Sequence, residues 1–82
     1  MAHDTTKTRT ITGIMRLSRM PSSRDGNPRY AVYLDGIGHV GSTSPDSSLA
    51  YGRVPNSEGR RVSLTVRDTR RGTYVADCQP AD

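Results

Sequence analysis

The sequence predicts a small all-β protein: a five-stranded barrel, OB-like or SH3-like, with one short helix or 3₁₀ turn between the third and fourth strands. Three observations lead there. Apolar residues recur at every second position in several short stretches, the period of a strand with one buried and one wet face. Gly, Pro, Asn and Asp gather between those stretches, where chain reversals need them. The chain has 82 residues, a 32% hydrophobic fraction, four Tyr, no Phe and no Trp, which is enough for one small core. So lean a core favours a sealed barrel or self-association into a homo-oligomer.

Residues 1–7 are polar and aperiodic and are read as a tail. Thr8 to Met20 is rich in Thr and Ile and reads as a long first strand. Ile11, Met15 and Leu17 share one face with Gly13, while Ile14 falls on the other. A glycine inside a strand marks a bulge or bend, and a bent first strand lets a small barrel serve two sheets. Pro21 to Pro28 holds two Pro, a Ser pair, Asp-Gly and Asn-Pro, and reads as a loop. Arg29 to Asp35 alternates again, with Tyr30, Val32 and Leu34 on one face and Ala31 and Tyr33 on the other. Asp35-Gly36 signals a turn into a glycine-weakened third strand, Ile37 to Thr43.

Ser44 to Gly52 changes character. Ser44 can cap a helix, Pro45 suits its first position, Asp46 suits the positive end of the dipole, and Gly52 can end it. Leu49 would then point inward. Arg53 to Gly59 reads as a polar loop. Val62, Leu64 and Val66 alternate with Arg61, Ser63, Thr65 and Arg67 in a fourth strand. A turn over Asp68 to Gly72 leads to a fifth strand, Thr73 to Cys78. The domain is thus expected over residues 8–78, with 79–82 a tail. Five strands with a helix between the third and fourth is the order of the OB-fold; an SH3-like barrel is the nearest competitor.

Composition restricts function. The single cysteine, Cys78, excludes an internal disulfide and reads as a small strand residue in a reduced protein. Residues 1–10 lack an apolar signal-peptide core, and the longest apolar run, Tyr30 to Leu34, is too short to span a bilayer, so a cytoplasmic location without membrane is expected. Gly36 to Gly41 matches G-x-G-x-x-G, but Pro45 would break the helix that a pyrophosphate needs; a turn and a thin strand is the better reading. His39 has no partner at metal-ligand spacing. The serines at 42, 44, 47 and 48 lack a nucleophile elbow. Asp25, Asp35, Asp46 and Asp68 occupy positions read as turns or caps. Neither an enzyme, a metal nor a cofactor is expected.

The net charge is +4 and the isoelectric point about 9.8. Eleven of the twelve basic residues are Arg. Arg suits phosphate, but a GC-rich genome also writes Arg over Lys, so the positions say more than the ratio. Arg61, Arg67, Arg70 and Arg71 crowd the last hairpin with only Asp68 opposing them. In an OB order the ligand face covers the second and third strands and the loops after the first and fourth. That places Arg24, Tyr33, His39, Arg67, Arg70 and Arg71 in one candidate site. Arg24, Arg67, Arg70 and Arg71 would hold phosphates and Tyr33 would stack a base.

The runs TRTITGIMRLSRMPSSRDGNPRYAVYLDG, SLAYG and GRRVSLTV resemble small β-proteins of actinobacterial phages, with Gly26-Asn27-Pro28-Arg29-Tyr30 the most distinctive segment. The resemblance covers most of residues 8 to 78. It implies a phage accessory protein in a bacterial cytoplasm and carries no catalytic residues. Two functions are therefore expected: nucleic-acid binding through the Arg-rich face or, alternatively, a protein-interaction module that binds a host protein or itself.

Overall fold

The computed structural model describes residues 7–22, 24, 26–44 and 48–81. Five strands form: β1 (Lys7–Met20), β2 (Arg29–Leu34), β3 (Gly38–Thr43), β4 (Arg61–Thr69) and β5 (Gly72–Pro80). A 3₁₀ turn (Ser48–Tyr51) and one turn of helix, α1 (Arg53–Asn56), lie between β3 and β4.

All five strands belong to one sheet, in the order β1-β2-β3-β5-β4, and β4 returns to β1 so that the sheet closes on itself. The bulge expected at Gly13 does not form: its pairing with Val62 stays in register, and β1 changes partner between Ile14 and Met15. Residues 7–14 of β1 pair with β4, and residues 15–20 pair with β2. Each pairing is antiparallel except β3 with β5, which run parallel over two residue pairs, Ser42↔Tyr74 and Thr43↔Val75. Partners can be followed around the ring from Ser18 through Ala31, Ser42, Tyr74 and Arg67. The path re-enters β1 at Thr8, ten residues before its start. So large a stagger tilts the strands steeply and lets only five of them surround a filled interior.

The core is the inward set of the predicted alternation. Met15, Val32, Leu34, Val40, Val62, Leu64, Val66, Val75 and Cys78 are buried together, with Ile11, Leu17, Tyr30 and Leu49 packed against them. Thr43 is the buried polar residue; its Oγ1 accepts a 2.9 Å hydrogen bond from the Tyr30 amide and so remains satisfied. Gly41 sits where β3 meets β5. A Cβ there would lie 3.2 Å from the Thr73 carbonyl oxygen, so a side chain would push the two strands apart.

Several boundaries differ from the sequence expectation. Asp68 and Thr69 belong to β4, and only Arg70 and Arg71 remain as the turn, with Thr69 opposite Gly72. Gly72 takes φ +142°, which a glycine accepts without strain. The Thr69 hydroxyl donates to the Gly72 carbonyl at 2.8 Å and accepts from the Arg71 amide at 3.2 Å, which replaces the wider turn. β5 runs on through Gln79 and Pro80, read as tail, because both pair with β4. Ile37 lies in the turn before β3.

The segment 53–59, read as a polar loop, contains α1. Its driving residue is Val54, fully buried against the core, and a single apolar residue leaves no periodicity to detect. The expected helix over Ser44–Gly52 is represented by the 3₁₀ turn; Pro45, Asp46 and Ser47 lie outside the described residues.

Candidate nucleic-acid interface

Tyr33 points outward from β2 because its neighbours Val32 and Leu34 point inward. His39 lies directly across from it on β3. The two rings meet edge to face, with centroids 5.3 Å apart and planes at 66°. A register shift between Val32 and Tyr33 brings them opposite one another. Without that bulge the alternation of β3 would put His39 out of step with Tyr33. Both side chains are solvent-accessible, Tyr33 at 36% of its full surface.

On the other side of Tyr33 stands its β1 partner, Arg16. Arg16 is held in a forked ion pair by Asp35, with contacts of 3.1 to 3.3 Å. The hydrogen bond to Asp35, then its charge, raises the affinity of this guanidinium for its proton. Arg16, Tyr33 and His39 thus form a row across β1, β2 and β3. The sequence reading omitted Arg16, since it sits on β1 rather than in a loop.

The charge balance of the β4–β5 hairpin differs from what its sequence suggests. Asp68 does not oppose them. Its carboxylate is engaged by Arg9 of β1, at 3.3 and 3.4 Å, and by the Thr73 hydroxyl at 2.7 Å. Among the described residues, the other two ion pairs join Arg16 to Asp35 and Arg53 to Asp77. The guanidiniums of Arg24, Arg67, Arg70 and Arg71 enter no ion pair or hydrogen bond among the described residues. All four residues are exposed. Four fixed positive charges are therefore left to solvent or to an anionic partner.

Strand direction decides which of these residues converge. β3 and β5 run parallel through the Ser42–Tyr74 junction. The β2–β3 turn and the Arg70-Arg71 tip both precede that junction on their strands, so both project from the same end of the sheet. Tyr33 and His39 are near that end. Arg67 stands one strand from Ser42, with Tyr74 between them. The structure thereby adds Tyr74, a half-buried ring on the outer face opposite Arg67. Its signal was present in the sequence, since an inward Val75 requires an outward Tyr74. Ser42 lies three residues along β3 from His39, about 10 Å at strand rise.

Arg24 is not brought to this group. It lies in the loop joining β1 to β2, beyond the Met20–Arg29 pair, at the far end of β2 from Tyr33. That loop is tied instead to the 3₁₀ turn, where the Tyr51 hydroxyl donates to Asn27 Oδ1.

Other chemistry is sparse. Cys78 is buried in the core, and burial pushes its thiol above the ordinary value of 9.0, away from the reactive thiolate. Asp35 and Asp68, read as turn aspartates, are each bound by an arginine, and Asp68 lies within β4. Among the described residues, no three His, Cys, Asp or Glu side chains gather as metal ligands, and no helix is long and apolar enough to cross a membrane. Comparison of the chain with family models, curated proteins and solved structures finds no match.

Proposed function

We propose that this protein is an OB-like barrel of phage-accessory type that binds single-stranded nucleic acid, non-enzymatically, through an Arg-rich face. The observation that carries the reading is the set of unpaired guanidiniums at Arg67, Arg70 and Arg71 on the side of the sheet that exposes Tyr33, His39 and Tyr74. Guanidiniums can hold successive phosphates while the rings offer their faces to bases. Arg24, at the far end of β2, lies outside this surface.

The OB name is favoured over an SH3-like one by the connections. β1 is shared between β2 and β4, β3 runs parallel to β5, and the helical segment with Val54 packs into the core between β3 and β4. Purified protein titrated into labelled single-stranded DNA, RNA and duplex DNA should bind single strands at micromolar or tighter affinity in low salt. Charge reversal in Arg70→Glu/Arg71→Glu should weaken binding at least tenfold while the circular dichroism spectrum is unchanged. Equal affinity in that double variant would remove the proposal.

A protein-interaction module is the second reading, favoured by one feature of the sheet. β3 pairs with β5 over two residue pairs, so the β3 edge before Ser42 carries backbone groups that β5 does not cover. Exposed Ile37 flanks that edge at 56% of its surface. Light scattering that detects a homo-oligomer, or a host-protein partner that survives nuclease, would favour this reading.

A further inference from the structure

The opposite end of β4 carries a second basic feature, which the nucleic-acid reading does not use. A cleft of about 260 Å³ opens between α1, the start of β4 and the end of β5. Asn56, Ser57, Arg60, Arg61, Val62 and Pro80 line it. Arg60 precedes the strand on a bend, so it escapes the alternation that would send it and Arg61 to opposite faces. Both arginines line the same space. Neither enters an ion pair or hydrogen bond among the described residues.

The walls are fixed before any ligand arrives. The Gly59 amide donates to the Met15 carbonyl at 2.7 Å, and the Met15 amide donates to the Arg60 carbonyl at 3.0 Å. The Arg60 amide closes a turn on Ser57 at 3.0 Å, and the Ala81 amide donates to the Arg61 carbonyl at 3.1 Å. Glu58 is the nearest acidic residue in sequence, yet its carboxylate accepts from the Leu17 amide at 3.0 Å. The cleft thus combines a hydrogen-bonded backbone, two arginines outside every ion pair among the described residues, the polar Asn56, and the exposed apolar ring of Pro80. Paired guanidiniums recognise phosphate oxygens by forked hydrogen bonds. The volume exceeds that of a phosphate group and leaves room for a sugar or small ring beside Pro80.

We propose that this cleft is a second binding site, for a small molecule that carries a phosphate monoester. It is separate from the hairpin tip: Arg61 and Arg70 lie nine residues apart along β4 and its turn, about 30 Å at strand rise. The test is a two-dimensional amide NMR titration of the full chain with adenosine monophosphate, adenosine and inorganic phosphate at constant ionic strength. Adenosine monophosphate should give saturable shifts at residues 56–62 and 79, and adenosine should give none there. Affinity should fall at least tenfold in Arg60→Gln/Arg61→Gln and stay within twofold in Arg70→Gln/Arg71→Gln. If the first double variant does not fold, each single variant should still weaken binding threefold or more. Absence of shifts at residues 56–62, equal binding of adenosine, or undiminished affinity in the folded Arg60/Arg61 variants would overturn the proposal. Loss of single-stranded DNA binding with this site intact would count against the hairpin reading alone.

Discussion

The two hairpins that bound the candidate interface are built differently. β4 and β5 are nine residues each and pair from Val62 to Thr69 through a two-residue turn, with one register shift in mid-strand between Thr65 and Val66, and their inward residues Val62, Leu64, Val66, Val75 and Cys78 make up half of the buried core cluster. β2 and β3 are six residues each, joined by a glycine-rich turn, and their register breaks at the residue that carries the exposed ring. The longer hairpin supplies half of the core cluster and exposes Arg70 and Arg71 at its tip. The second presents aromatic rings on an irregular surface. Core residues and exposed residues are thus largely separate, so the outer ones can be substituted without threatening the core.

That contrast predicts which substitutions unfold the protein and which do not. Leu64→Ala should have the largest effect, because it empties a fully buried site in the structural hairpin. The expected loss is about 2–5 kcal/mol, read from chemical denaturation. Gly41→Val attacks the junction between the hairpins, since its side chain meets the Thr73 carbonyl. It should cost about 1–3 kcal/mol, and Gly41→Ala less. A neutral outcome for Gly41→Val would show that β3 and β5 separate freely.

Tyr33→Ala should leave stability within about 0.5 kcal/mol, as an outward substitution on the irregular hairpin. It should nonetheless weaken single-stranded DNA binding by about 1–3 kcal/mol if a base stacks there. Unfolding in step with lost binding would erase the distinction between the hairpins.

The smallest effect concerns Asp77 on β5. Hydrogen bonds from Gln79 and from the Cys78 backbone, together with Arg53, hold its carboxyl below the ordinary 3.8. A carboxyl depressed in the folded state contributes stability that is present above its unfolded value and is lost as pH falls through the folded one. Asp77→Asn should therefore lower stability slightly at neutral pH, leave it unchanged at the acid extreme, and so flatten the decline that the wild-type protein shows below about pH 4. The group is largely exposed, so the change should be at the edge of detection.

The same contrast explains what could be read in the sequence. Strict alternation from Val62 to Val66 announces β4, and the Gly13 bend in β1 signals a strand with two partners. Both are local patterns; the β4 alternation and the two partners of β1 are found in the structure, while the register through Gly13 is unbroken. The Tyr33–His39 contact depends on a one-residue bulge, which no local pattern specifies. The release of Arg67, Arg70 and Arg71 depends on Arg9 engaging Asp68 from 59 residues away. Long-range pairing of that kind is set by topology, so the charge balance of the hairpin could not be read from the hairpin alone. Arg24 illustrates the reverse: loop composition nominated it, and strand direction places it at the other end of β2.

The central claim is that unpaired arginines on the structural hairpin hold phosphates. Its most direct test is the salt dependence of single-stranded DNA affinity, compared between the wild-type protein and Arg70→Ala/Arg71→Ala. Three phosphate contacts, from Arg67, Arg70 and Arg71, predict a slope of log affinity against log salt of about −2. The double variant should retain about a third of it. A slope near zero in the wild-type protein, or one unchanged by the double substitution, would contradict the account.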